Sequence, residues 1–108
     1  MLNKANRLNK HGSFSYVYRN GKRLSESDLV LTYTPARTVR VGFSVSNKVG
    51  KAVVRNKVKR RLRASVQNKL GAMRGCQAVI IANVSAAGAD YKTLDGQITR
   101  LFTRAGLL

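Results

Sequence analysis

Two hydrophobic periods alternate along the chain, and the switches between them mark out its elements. From Val39 to about Ser46 the period is two: Val39, Val41, Phe43 and Val45 fall on one side and Arg40, Gly42, Ser44 and Ser46 on the other. That pattern predicts a strand with one core face and one small, polar face. Leu29 to Thr34 alternates in the same way, Leu29, Leu31 and Tyr33 against Val30, Thr32 and Thr34, and predicts a strand with one drier face; the stretch from Pro35 to Thr38 reads as the turn between the two. Gln77 to Asn83 is nearly continuous apolar sequence, short enough for a strand and apolar enough to be central and buried on both faces.

Elsewhere the period is helical. Val54, Val58, Leu62, Val66 and Leu70 step by four, predicting a helix from about Lys51 to Leu70, stopped by Gly71. Leu94, Ile98, Leu101, Phe102 and Ala105 form the stripe of a last helix that Asp90 caps and Gly106 ends. Ser13 is placed to cap a short helix running to Asn20 and stopped by Gly21, with Phe14, Val17 and Tyr18 on one face and Tyr16 on another. Met1 to Gly12 shows little apolar pattern and reads as a basic N-terminal arm. Without repeats or a linker, 108 residues make one domain.

Charge changes the picture most. Lys and Arg number 21 against four acids, a formal net charge of +17, and those acids are Glu26, Asp28, Asp90 and Asp95. No carboxylate occurs between Leu29 and Ala89, so that span repels itself unless a polyanion neutralises it. Nucleic acid fits. A membrane does not: no apolar run approaches the roughly twenty residues needed to span a bilayer, and the polar start lacks the apolar region of a signal peptide, so a cytoplasmic location is expected. The single cysteine, Cys76, heads an apolar run and is expected to be buried and inert. His11 has no Cys or His at metal-ligand spacing, and no catalytic constellation is present.

The charge concentrates from Lys48 to Arg63, where eight of sixteen residues are cationic while the valines and leucine keep their helical step. A merely solvated helix face pairs Lys or Arg with Glu or Asp four residues away, and here there is no acid to pair. Several charges spaced along an axis suit a phosphate backbone; Arg adds planar forks, and Asn56 an amide that both donates and accepts.

The ordered set Gly42-Phe-Ser-Val-Ser-Asn-Lys-Val-Gly-Lys-Ala-Val-Val-Arg-Asn-Lys-Val-Lys-Arg-Arg-Leu-Arg closely resembles the protein subunit of bacterial ribonuclease P. Arg55-Asn56-Lys57 with Lys59, Arg60 and Arg63 is similar to that family's arginine-rich signature. Arg7-Leu8 with Phe14, Val17, Tyr18 and Gly21 resembles its first helix, and Ala78 to Ala82 its hydrophobic strand. The resemblance implies an α/β fold, sandwich-like, with a small mixed sheet of three to four strands and a left-handed βαβ crossover (ribosomal protein S5 domain 2-like). General rules would favour a right-handed one. It implies a subunit of the ribonucleoprotein that removes the 5′ leader of precursor tRNA, whose partners are the catalytic RNA and the precursor tRNA, with neither DNA nor membrane expected. Catalysis, and the Mg2+ it uses, would belong to the RNA.

Carried over position by position, the resemblance makes Lys48, Lys51, Arg55, Asn56, Lys57, Lys59, Arg60 and Arg63 the residues facing RNA. Phe14 and Tyr18 would line a leader cleft with Ser44 and Ser46 on its floor. Two positions depart from the family pattern: Lys57 stands where an arginine is usual, keeping charge but losing the bidentate fork, and Thr32 stands where some members carry an aromatic, with Tyr33 next to it on the opposite face. A small ribosomal-type structural RNA binder is the competing reading. A DNA-binding helix pair fits less well, because strands flank the basic helix.

Overall fold

The computed structural model of the protein describes residues 4–8 and 11–108. Met1 to Asn3, Asn9, Lys10 and the side chain of His11, all assigned above to a basic arm, lie outside the described residues. Three helices, α1 (His11–Asn20), α2 (Ala52–Gln67) and α3 (Tyr91–Arg104), join four strands, β1 (Lys22–Ser25), β2 (Leu29–Pro35), β3 (Val39–Val45) and β4 (Cys76–Ala82). The sheet order is β1-β2-β4-β3. β1 with β2 and β2 with β4 are antiparallel, while β3 and β4 are parallel and joined through α2, so the sheet is mixed and the fold α/β, as expected.

β4 is central because its sequence leaves no polar face to expose: Cys76, Ala78, Val79 and Ile80 are fully buried. Register sets Phe43, Ile80 and Leu31 abreast on one face. Against that face pack Val58, Leu62 and Val66 of α2 and Leu94, Ile98, Leu101 and Phe102 of α3. Each such side chain, fully buried, is worth about 1.5–3 kcal/mol, whereas an exposed ion pair gives at most about 1 kcal/mol; the core, not the surface charge, carries the fold. On the opposite face lie Gly42, Val79 and Thr32, covered by α1 through Val17.

Five boundaries differ from the sequence reading. β2 is buried on both faces, since α1 lies over Val30, Thr32 and Thr34. β1 was not anticipated: Lys-Arg-Leu-Ser offers one apolar residue, and the strand exists only as an edge paired with β2. α1 begins at His11, ahead of Ser13. α2 stops at Gln67, where Lys69 N donates to Val66 O at 2.9 Å and tightens the chain ahead of a short turn at Leu70–Ala72. Residues 5–8 run along β3 rather than away from it. Asn6 Nδ2 donates to Val39 O at 2.8 Å, Arg7 bridges Val41, and Leu8 is buried.

Cys76 is fully buried, as expected, and burial pushes its thiol pKa up to about 11. Asp90 caps α3, accepting from Thr93 N at 2.8 Å, and Gly106, at φ 76°, follows its end. α3 is fastened to α2 by Asp95, which accepts from Ser65 Oγ at 2.6 Å and pairs with the Lys69 ammonium. Burial raises the Asp95 pKa, but the hydrogen bonds from Lys69 and Ser65 outweigh it and hold the carboxyl below its ordinary 3.8. A depressed folded-state pKa stabilises the fold above the unfolded value and loses that contribution as pH falls through the folded value. Asp95→Asn is therefore expected to cost about 1–2 kcal/mol at neutral pH, discounted for partial exposure. In urea unfolding followed against pH, the gap between variant and wild type should close as pH drops below 3.8.

Candidate nucleic-acid interface

All four carboxylates of the chain are bonded within α3 or to it. Glu26 accepts from Arg100 Nε at 2.8 Å and Arg104 Nη1 at 3.0 Å; Asp28 accepts from Gln97 Nε2 at 2.6 Å; Asp90 caps α3; and Asp95 clamps it to α2. The negative charge thus gathers on the α3 side. The side formed by α1, β3 and the outer faces of α2 carries cations without an acid among them.

On α2 the buried ladder Val58, Leu62, Val66 fixes what the other positions do. At about 100° per residue, Asn56, Arg60 and Arg63 point away from the core. They line a notch together with Ala64, whose small side chain leaves it open. Lys59 and Arg55 flank the ladder on one side and are half-buried; Arg55 Nε donates to Gly50 O at 3.1 Å and closes the loop before the helix. Lys57 and Arg61 flank it on the other. Arg61 is structural, its Nη1 donating to Ala89 O at 2.7 Å in the segment that leads into α3. Lys57 is exposed, on the flank next to Arg60, three residues away along the helix. Lys48, in the turn Asn47–Val49, and Lys51, the N-cap of α2, are exposed beside the first amides of the helix, whose first turn has no acid; the positive end of the helix dipole adds to theirs.

Between α1, β3 and α2 lies a cleft lined by Arg7, Leu8, Phe14, Val41, Gly42 and Phe43, closed on the α2 side by Lys59 and Arg63. Phe14 can sit there because residue 42 is glycine: a Cβ at that position would lie 2.5 Å from Phe14 Cζ. The Tyr18 ring is 6.4 Å from that of Phe14, tilted at 53°, and is 45% exposed, leaving a face open to stacking. Beside Gly42 on the same sheet face, Ser44 stands in register with Ile81 and Val30; Ser46 follows, exposed, where the chain turns toward Lys48. Thr32 is on this face but buried near Gly21 and Val17, while Tyr33 packs into the core on the other, so neither adds a ring to the cleft.

The structure thus brings Phe14, Lys59 and Arg63 together in one cleft, and Asn56, Arg60 and Arg63 in one notch, with Arg63 common to both. No local sequence pattern marks Arg7 as a site residue, because its place beside the cleft follows from the bridge to Val41. Among the described residues no group of three or more His, Cys, Asp or Glu side chains is placed to hold a metal ion. Guanidinium and ammonium groups, one amide and two aromatic rings are groups with the chemistry to hold phosphates and bases.

A family model described as Ribonuclease P matches residues 2–106. The ribonuclease P protein component of Clostridium acetobutylicum is 41% identical over 110 residues, covering 97% of this chain and 92% of that protein. Among solved structures, a mutant of the Staphylococcus aureus RNase P protein with defective mRNA degradation activity superposes with TM-score 0.92 at 25% identity, covering 97% of this chain and 92% of its own. The RNase P protein of Thermotoga maritima gives 0.82 at 27% identity, covering 91% and 96%.

The arginines of α2 are expected to separate by experiment. Arg60→Ala and Arg63→Ala should leave unfolding free energy within about 0.5 kcal/mol of wild type, yet each should flatten the log–log salt dependence of binding to structured RNA by about 0.7–0.9. Arg61→Ala should instead cost about 1–2 kcal/mol of stability with a smaller change in salt slope. Loss of stability in Arg60→Ala would mean that side chain serves packing.

Proposed function

The chain belongs to the ribonuclease P protein family, the protein component of the ribonucleoprotein endonuclease that trims the 5′ leader from precursor tRNA, and from that premise we propose how its surface is divided. The turn and helix bearing Lys48, Lys51, Arg55, Asn56, Lys57, Lys59, Arg60 and Arg63 take the catalytic RNA. The cleft that Phe14 lines takes the unpaired leader, and Tyr18, Ser44 and Ser46, which are not among its lining residues, extend the leader's path beside it. The observation that carries this reading is the meeting of Phe14 with Lys59 and Arg63 in one cleft: a ring for a base stands opposite charges for its phosphate, where no carboxylate intrudes.

Two polyanions must come together for cleavage, and a cationic protein face between them lowers their repulsion. Stacking on the cleft rings is worth about 1–3 kcal/mol per base and tolerates any sequence, which suits leaders of differing sequence. Asn56 and Arg60 in the notch add directional hydrogen bonds, and Lys57, a point charge on the neighbouring flank, contributes less than an arginine fork would. The chain's carboxylates are all engaged around α3, in keeping with a proposal that the Mg2+ used in hydrolysis is bound mainly by the RNA subunit. Strands on either side of α2 do not form a helix–turn–helix, and the proposed partners are RNA alone. No described helix is long and apolar enough to cross a membrane, and the cytoplasm, where precursor tRNA is found, is the proposed location.

Reconstitution tests the division. Added to its cognate catalytic RNA at low magnesium, the chain should stimulate cleavage of precursor tRNA; failure to do so would refute the reading. Phe14→Ala should weaken binding of leader-bearing precursor about tenfold while leaving mature tRNA unaffected, and equal loss on both would remove the stacking role.

A further inference from the structure

Helix α1 lies on the sheet as a ridge, and its two flanks carry different rings. Val17 is fully buried against the sheet; at about 100° per residue, Phe14 and Tyr18 fall to one side of it and Ser13 and Tyr16 to the other. The second flank has its own pocket, lined by Ser13, Tyr16, Thr34, Pro35 and Gln77, at the end of the sheet where β2 stops and β4 begins. Tyr16 is 53% exposed there. Register places Thr34, Gln77 and Arg40 side by side on this face, the first two lining the pocket and Arg40 next to it on the neighbouring strand.

Thr34 is only 6% exposed, and its hydroxyl has no hydrogen-bond partner. Leaving such a group unsatisfied opposes folding. Thr32 shares that condition, and both hydroxyl oxygens are themselves buried; Thr32 lies next to Val17 and Gly21, whereas Thr34 is one of the residues that line the open pocket. None of the four carboxylates lines this pocket. An exposed ring for stacking, an amide that matches a base edge and a nearby guanidinium for phosphate are the groups that recognise an unpaired nucleotide.

We propose that this pocket binds one unpaired RNA nucleotide separately from the leader cleft, its base on Tyr16, its edge toward Gln77 and Thr34, and its phosphate toward Arg40. The proposal rests on the RNA-binding function above. The nucleotide comes either from the precursor's leader or from the catalytic RNA, and the recognising chemistry is the same for both.

Tyr16→Ala, Tyr16→Phe and Thr34→Val test it in the reconstituted complex. Two affinities are measured for each variant: that of the chain for the catalytic RNA, and that of the holoenzyme for precursors with leaders of stepwise length. Tyr16→Ala should weaken one of them about tenfold, Tyr16→Phe should restore it, and Thr34→Val should weaken it severalfold with unchanged thermal stability. A loss that grows with leader length assigns the nucleotide to the leader; a loss confined to the catalytic RNA assigns it there. Wild-type affinities in Tyr16→Ala, or an equal loss in Tyr16→Phe, overturn the proposal. If Tyr16→Ala is silent while Phe14→Ala and Arg60→Ala still weaken binding, the pocket fails and the function stands; if all three are silent, the function fails as well.

Discussion

The molecule is organised by a shortage of negative charge. Four carboxylates serve a chain with 21 cations, and every one is spent holding α3: two across its length to the segment before β2, one at its N-terminus and one against α2. Folding therefore does two things with the same groups. It fastens the last helix over the core, and it removes every anion from the side where α1, β3 and α2 meet. The carboxylates that pair with cations do so at Lys69, Arg100 and Arg104, so a phosphate approaching Lys48, Lys51, Arg60 or Arg63 would meet no carboxylate of these pairs. The same imbalance makes the chain repel itself, and RNA binding relieves that repulsion, linking assembly to stability.

Core packing determines which cations reach the surface together. Val58, Leu62 and Val66 lock the rotation of α2, and that rotation decides that Arg60 and Arg63 face outward while Arg61 turns to Ala89 and becomes part of the scaffold. Adjacent arginines in sequence thus do different work. Gly42 plays the matching part on the sheet, since any side chain there would displace the Phe14 ring from the cleft it shares with Lys59 and Arg63.

The strands and helices with strong periodicity were legible: β3, β4, α3 and the body of α2 stand where alternation and four-residue steps put them, and Asp90 caps as its position implied. What the pattern could not show depends on partners distant in sequence. β1 has a single apolar residue and exists because β2 offers it an edge. The second buried face of β2 comes from α1, and residues 5–8 pass from arm to structure by bonding to β3. The site follows the same division. The basic face of α2 could be read from spacing alone, whereas the cleft that unites Phe14 with Lys59 and Arg63, and the sorting of Arg61 from its neighbours, arise only when three elements pack.

Charge segregation makes the central claim directly measurable by lysine acetylation of the full chain, free and bound to its catalytic RNA, read by mass spectrometry. Lys48, Lys51 and Lys59 lie on the side proposed to face RNA and Lys92 on α3, where it is exposed. RNA should protect the first three and leave Lys92 as reactive as in the free protein. Protection of Lys92 with Lys51 and Lys59 still reactive would place the RNA on the α3 side and contradict that claim.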